Sequence, residues 1–129
     1  MKQFIKPTSA ELEILGVLWE SGPASVRQVF ERLSKRKATT YTTVLKFMQI
    51  MHEKGFVKRD EKNKAHIYRA AITEEQTRKG LVKDLLDKAF RGSALSLVQH
   101  VLEAKPASHE ELVEIKRMIA EAEAKEEAK

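Results

Sequence analysis

The sequence of 129 residues predicts a mainly α-helical fold that contains one small β-hairpin and divides into two parts. Helix-start signals recur along the chain, a strand–turn–strand pattern occurs once, and the charge balance changes sign between the halves. Residues 1–70 hold 14 Lys and Arg against 7 Asp and Glu, whereas residues 71–129 hold 10 against 12. A basic first part joined to a slightly acidic second part is typical of a chain with two separate tasks.

The helix starts are marked by capping boxes, in which a hydroxyl residue precedes Glu or Gln by three positions. Four segments have this spacing: Thr8 to Glu11, Ser25 to Gln28, Thr73 to Gln76 and Ser108 to Glu111. The first helix follows Ser9, and its apolar set is Leu12, Leu15, Val17, Leu18 and Trp19. The break at Ser21-Gly22-Pro23 ends it. The second helix follows Ser25, with its apolar residues at helical spacing up to Leu33.

A third helix begins near Thr39 or Thr40, one of which is the expected cap, and ends at Gly55. Val44, Met48 and Met51 form its inner stripe. Strand-like residues follow at 56–60 and 65–70, separated by the polar turn Glu61-Lys62-Asn63-Lys64. The order helix, helix, helix, hairpin is that of a winged helix-turn-helix domain. Within it, we expect the aromatic residues Trp19, Phe56 and Tyr68 in the core.

The second half predicts helices only. One runs from Thr73 to about Phe90, a shorter one spans Leu95–Leu102, and the last starts after Ser108 and frays beyond Glu121. We therefore predict a winged-helix domain over residues 1–71 and a helical dimerisation domain over residues 72–129. The apolar surface of these helices exceeds what one short tail buries alone, so a homodimer is expected. The predicted dimerisation residues are Leu85, Phe90, Leu97, Val98, Val101, Leu112, Ile115 and Ile119.

A hydroxyl-rich helix start beside a basic run is the strongest functional signal. Helix-turn-helix proteins place the first residues of the recognition helix against base edges, where Thr hydroxyls and methyls contact bases or phosphates. Threonines before a helix are often only caps, and a basic hairpin tip is often an ordinary solvated turn. The combination favours double-stranded DNA as the partner. The predicted DNA-binding residues are Lys37, Thr39, Thr40, Tyr41, Thr42, Thr43, Lys46, Arg59, Lys62 and Lys64.

An ordered set of short segments resembles the penicillinase-repressor family of bacterial regulators, the BlaI/MecI/CopY type. The segments are Glu11–Leu15 with Leu18-Trp19, Val26–Val29, Tyr41–Leu45, Glu53–Val57, Tyr68–Ala70, Phe90–Ser93 and Ser96–Val98. The resemblance covers about residues 8–120. It implies a homodimeric repressor that binds dyad-symmetric operators through winged-helix domains and dimerises through its C-terminal helices.

The resemblance also implies a membrane sensor protease as a partner, which cuts family members that answer β-lactams at an Asn-Phe bond. His100-Val101 stands where that pair is expected, and the segment Leu95–Leu102 is predicted to be a buried helix that must open before cutting. We therefore predict that release from DNA does not depend on the usual bond. Proteolysis at another bond and a ligand that shifts the dimer between two states remain as routes.

Other chemistry is not supported. The chain has no cysteine, so thiolate-bound metals are not the inducing signal, and its four histidines lack zinc-hydrolase spacing. It has no Gly-rich phosphate loop and no nucleophile elbow. We predict no catalytic residues, no metal, no cofactor and no enzyme activity. No apolar run suits a membrane span and the N-terminus has no signal-peptide core, so we expect a cytoplasmic protein without membrane insertion.

The alternative function is a winged-helix module that binds protein without touching DNA, because the fold alone does not imply DNA contact. Such a module exposes apolar residues on the recognition face. Phe47 and Ile50 are the apolar residues that the sequence places there.

Overall fold

The structure is a computed structural model that describes residues 4–62 and 64–129. Over these residues it contains six α-helices and a three-stranded antiparallel sheet. This confirms the predicted mainly helical, winged-helix fold. The chain divides into two compact units, the first up to Asp84 and the second from Leu85 onward. The predicted boundary between residues 71 and 72 stays a prediction.

Helix α1 (Ser9–Ser21) begins at a complete capping box. The Glu11 backbone N–H donates to Thr8 Oγ1 at 3.2 Å, and the Thr8 N–H donates to Glu11 Oε1 at 2.9 Å. Thr8 is thus the cap and Ser9 the first helical residue. Gly22 ends the helix with a φ of 83°, a value that suits glycine.

Helices α2 (Val26–Ser34) and α3 (Tyr41–Lys54) complete the three-helix core of the first unit. Ser25 and Gln28 form the predicted capping box of α2. Helix α3 ends at Gly55, whose φ of 84° lies in the left-handed region. Its predicted inner stripe is confirmed, because Val44, Met48 and Met51 are fully buried. The other buried apolar residues are Ile14, Leu15, Val17, Leu18, Ala24, Val26, Val29, Leu33, Phe56, Val57 and Tyr68.

The sheet has the order β1-β3-β2, with β1 (Ala24–Ser25), β2 (Val57–Asp60) and β3 (Ile67–Ala70). The predicted hairpin is confirmed: Val57 pairs with Ala70 and Asp60 with Ile67. Asn63 of the predicted turn lies outside the described residues. Strand β1 was not predicted, because two residues between a proline and a helix carry no alternation. It pairs with β3 and thereby ties the hairpin to the start of α2.

Helix α4 (Glu74–Ala89) follows the sheet and starts at the predicted Thr73–Gln76 capping box. Trp19 is half-buried against the core, and its Nε1 donates to the Ile72 carbonyl oxygen at 2.9 Å, which joins α1 to the segment before α4. Thr77 is buried, and its hydroxyl donates to the Thr73 carbonyl oxygen. The start of α4 is therefore fixed to the winged-helix core.

The second unit contains the end of α4, α5 (Ala94–Ala104) and α6 (His109–Glu127). Arg91 and Gly92, with φ values of 51° and 80°, form the predicted break after α4. Two predictions are wrong here. Helix α6 continues to Glu127 instead of fraying beyond Glu121, and Arg117 pairs with both Glu114 and Glu121 along it. Helix α5 was predicted to be buried, but in the single chain it has no buried residue.

Candidate nucleic-acid interface

The N-terminus of α3 is organised by Thr40. Its Oγ1 accepts a hydrogen bond from the Thr43 backbone N–H at 3.2 Å and donates one to Thr43 Oγ1 at 2.9 Å. Thr40 is therefore the cap of α3, one of the two positions that the sequence predicted. Thr39, just before it, is half-buried.

One face of α3 carries the polar residues of the predicted site. Tyr41, Thr42, Thr43 and Lys46 are exposed, whereas the opposite face is buried in the core. Lys46 lies one turn after Thr42 and Thr43, so the three side chains share a face. Over residues 4–62 and 64–129, no carboxylate pairs with Lys46. This face presents hydroxyl groups and one unpaired ammonium group to a ligand.

Tyr41, the first residue of α3, is held by two residues of α2. Its ring and that of Phe30 pack edge to face, with ring centroids 6.2 Å apart and an interplanar angle of 81°. The Arg27 guanidinium carbon lies 4.9 Å from the centroid of the Tyr41 ring. Arg27 was absent from the predicted site. The three-residue spacing of Arg27 and Phe30 places them on one helix face, and this was the signal available in the sequence.

Lys37 lies on the segment between α2 and α3. Its Nζ is 2.9 Å from Glu13 Oε1 of α1, and both side chains are nearly half exposed. Beside this pair, a cleft of about 480 Å³ opens at the start of α3, and Lys37, Thr39, Thr40 and Thr43 form part of its lining. The structure thus brings the predicted residues 37–46 together around one helix end.

The hairpin carries the remaining predicted residues. Arg59 on β2 pairs with Glu61, with Nη2 and Oε1 2.6 Å apart. Hydrogen bonds to Tyr68 and Glu61 raise the pKa of the Arg59 guanidinium above its ordinary value. Lys62 and Lys64 are exposed at the turn, where the Lys62 backbone N–H donates to Asp60 Oδ1 at 3.0 Å. The wing therefore presents two exposed lysines and one arginine already paired with a carboxylate.

A partly buried ion pair fixes the other end of α3 to α1. Glu11 is only 1% exposed, and its Oε2 lies 2.8 Å from Lys54 Nζ. Burial raises the pKa of the Glu11 carboxyl, but hydrogen bonds from Lys54 and Thr8 outweigh burial and hold this pKa below its ordinary value. In the sequence, Glu11 is recognisable as the third-position partner of a capping box but not as an ion-pair partner. Its pairing with Lys54, 43 positions away, depends on the tertiary packing of the two helices.

Seven of the eight predicted dimerisation residues lie on helices of the second unit, and Phe90 directly follows the end of α4. Five of the eight are exposed in the single chain, and the other three, Phe90, Leu97 and Ile115, are half-buried. The exposed ones are Leu85, Val98, Val101, Leu112 and Ile119. The rings of Phe90 and His100 pack against each other at a steep angle, with centroids 5.3 Å apart. Helices α5 and α6, together with Leu85 of α4, thus leave apolar surface open to solvent.

Comparison with known proteins identifies the family. A sequence model described as Penicillinase repressor matches residues 7–121. The chain belongs to the penicillinase repressor family. This confirms the resemblance that the sequence segments indicated, and it makes the chain a transcriptional repressor of a regulatory family, which is not a class of enzymes.

Three relatives illustrate the similarity of this penicillinase repressor family member to known regulators. The transcriptional regulator BlaI of Mycobacterium tuberculosis is 33% identical over 116 residues, which cover 88% of this chain and 83% of that protein. The methicillin resistance regulatory protein MecI of Staphylococcus aureus is 25% identical over 112 residues, covering 87% and 91%. The penicillinase repressor of Bacillus licheniformis is 24% identical over 121 residues, covering 94% of each chain.

The described part of this family member has neither a membrane-spanning helix nor a cluster of metal ligands. Within residues 4–62 and 64–129, none of the helices combines the length and the apolar composition that spanning a bilayer requires. In the same ranges, no three His, Asp or Glu side chains cluster as ligands for a metal ion.

Proposed function

We propose that this repressor is a cytoplasmic homodimer that binds dyad-symmetric operator DNA through its winged-helix domains. The observation that carries the proposal is the exposed face of α3, where Thr42, Thr43 and Lys46 stand together on a recognition-type helix. Thr hydroxyls and methyls match base edges in the major groove, and the lysine suits a guanine edge or a phosphate. We propose residues 1–71 as the DNA-binding domain and residues 72–129 as the dimerisation domain.

The cations around α3 suit the phosphates that flank the bases. Lys62 and Lys64 at the wing tip supply contacts that hold the protein on the duplex without specifying sequence. Lys37 and Arg59 already pair with Glu13 and Glu61. Each therefore exchanges a carboxylate for a phosphate when DNA binds. This exchange reduces the net electrostatic gain of those two contacts.

The exposed apolar surface of α5 and α6 supports the homodimer. No residue of α5 or α6 is buried in the single chain, so this helical unit has little core of its own. A second copy of the chain supplies the missing apolar contacts. A dimer with two-fold symmetry matches two half-sites about one helical turn, roughly 34–36 Å, or a multiple of that apart.

The alternative, a module that binds protein instead of DNA, has weaker support. Phe47 packs against the core and Ile50 is half-buried, so the recognition face offers little apolar surface to a protein partner.

For induction, we propose that a sensor protease or a ligand acts without cutting an Asn-Phe bond. His100 and Val101 are both exposed in the single chain, but both lie inside α5, where His100 Nδ1 is 2.8 Å from the Ser96 carbonyl oxygen.

Binding of duplex DNA is expected to weaken steeply with salt, because phosphate contacts release counterions. Replacing Lys62 and Lys64 with Ala should weaken binding to all sequences alike and reduce the slope of log K against log salt by about 2. Replacing Thr43 with Val should instead change sequence preference, by ~1–3 kcal/mol at one base position. Gel-shift titrations at several salt concentrations, on duplexes selected from a randomised pool, measure both effects.

The matched control for the wing replaces Lys116 and Lys125 of α6 with Ala, which removes the same charge from the second unit. This variant should bind nearly as wild type. Binding that is independent of salt, or no binding to any duplex at low salt, rejects the proposed function. Equal losses in the wing variant and the control reject the role of the wing.

A further inference from the structure

The Arg27–Tyr41 contact is a second polar feature of the same surface, and the predicted site did not include it. Arg27 is exposed in the first turns of α2, and its guanidinium carbon lies 4.9 Å from the centroid of the Tyr41 ring. Tyr41 is 37% exposed and is fixed from a second side by the Phe30 ring. Two residues of α2 thus set the position of the first side chain of the recognition helix.

The guanidinium of Arg27 differs from those of Arg36 and Arg59 in this unit. Arg36 lies 3.7 Å from a carboxylate oxygen of Glu20, and Arg59 lies 2.6 Å from one of Glu61. Within residues 4–62 and 64–129, Arg27 contacts the Tyr41 ring, and no carboxylate or carbonyl accepts a hydrogen bond from it. A guanidinium that lies over a ring uses its face for that contact and keeps its N–H donors available.

The position of α2 suggests a ligand for those donors. In helix-turn-helix proteins the helix before the recognition helix crosses the DNA backbone. A phosphate accepts two parallel N–H bonds from a guanidinium, a geometry that lysine does not offer. Both the charge and the open N–H edge of Arg27 therefore suit a phosphate next to the bases that α3 contacts.

We propose that Arg27 binds a DNA backbone phosphate and that the Tyr41 ring orients its guanidinium for this contact. The proposal rests on the proposed DNA-binding function. It adds α2 to the interface and assigns Tyr41 a positioning role in addition to any contact of its own hydroxyl. Arg27 contributes affinity for all sequences and no sequence preference, because a phosphate contact does not distinguish bases.

Replacing Arg27 with Gln should weaken binding to a short random-sequence duplex by about tenfold at low salt, because a charged hydrogen bond is lost. The slope of log K against log salt should fall by about 1. The matched control is Arg32→Gln. Arg32 is exposed on the same helix, five residues and hence about 140° further round, so its charge faces elsewhere. The control should bind within about twofold of wild type.

A double substitution tests the role of the ring. Arg27→Lys keeps the charge but loses the planar stack, and we expect it to weaken binding several-fold while the salt slope is retained. In a Tyr41→Leu background the same change should have a clearly smaller effect, because the contribution of the ring is already lost and only the difference between a guanidinium and an ammonium group at the phosphate remains. Thermal unfolding of each full-length variant, within a few degrees of wild type, shows that the fold is kept.

Three results overturn this inference without affecting the proposed function, provided that wild type binds the duplex. One is an equal loss of affinity for the duplex in the Arg27→Gln and Arg32→Gln variants. Another is Arg27→Gln leaving the salt slope unchanged. The third is Arg27→Lys having the same effect with and without the Tyr41 ring. If wild type binds no duplex at all, the proposed function itself fails.

Discussion

Replacing Lys54 with Met is expected to lower the free energy of unfolding of the first unit by about 3 kcal/mol. The change leaves the Glu11 carboxylate buried without its cation, and breaking a buried pair in this way is more destabilising than most surface changes. We expect the lower part of the known range because the Lys54 side chain is 35% exposed, so water reaches this side of the pair. Urea unfolding at neutral pH measures the effect.

The matched control replaces Glu11 with Gln and Lys54 with Met. It removes the pair without leaving a lone charge and keeps an acceptor for the Thr8 N–H at the start of α1, so most of the lost stability should return. If the double variant is as unstable as Lys54→Met, or if Lys54→Met unfolds at the same urea concentration as wild type, the ion pair is not what stabilises this contact.

The contribution of Glu11 to the free energy of unfolding should change with pH in opposite directions in wild type and in Lys54→Met. In wild type the folded-state pKa of Glu11 is lowered, so the pair stabilises the fold above the ordinary carboxyl pKa, and this contribution is lost as pH falls through the lowered value. In Lys54→Met, burial without a cation raises the pKa of Glu11, so acidification should recover part of the lost stability. Unfolding curves between neutral and mildly acidic pH distinguish the two. Parallel pH profiles for both proteins contradict the assignment.

Placing Asp at both Val101 and Ile119 is expected to convert the dimer into monomers at micromolar concentration. These side chains are 57% and 53% exposed in the single chain, so the change costs the isolated chain little. In the proposed dimer it buries two carboxylates per chain in an apolar interface, which is strongly unfavourable. Loss of the linked second half-site should then weaken operator binding by about 100-fold or more. Sedimentation equilibrium and gel shifts measure the two consequences.

The control variant places Asp at Gln99 and Ala124, which are exposed positions on other faces of α5 and α6. It adds the same charge, yet it should remain dimeric and bind operator nearly as wild type. Two results exclude this apolar surface as the dimer interface. One is a wild-type protein that sediments as a monomer at micromolar concentration, and the other is a Val101→Asp/Ile119→Asp double variant that remains a dimer.

Local signals predicted the helices and the hairpin because each depends on residues near in sequence. The capping boxes at Thr8, Ser25 and Thr73 all form, and Gly55 ends α3 as expected. These features depend on backbone groups within one turn, so the sequence pattern is sufficient to identify them.

Contacts between distant residues were not predictable in the same way. Strand β1 is defined by its pairing with β3. A segment of two residues is too short to show the alternation of apolar and polar residues that marks a strand in a sequence. The pair of Glu11 with Lys54 and the contact of Arg27 with Tyr41 join residues that no local pattern relates. Helix α5 was predicted to be buried because its apolar residues are dense, but in the single chain none of its residues is more than partly buried.

A hydroxyl-radical footprint of a selected operator reports both DNA contact and dimer symmetry, and it is therefore the decisive measurement for a dimeric DNA-binding repressor. We expect two protected tracts related by two-fold symmetry, with centres about 34–36 Å apart or a multiple of that distance. Protection of a single asymmetric tract contradicts the symmetric dimer, and no protection of any duplex at low salt contradicts DNA binding by this repressor.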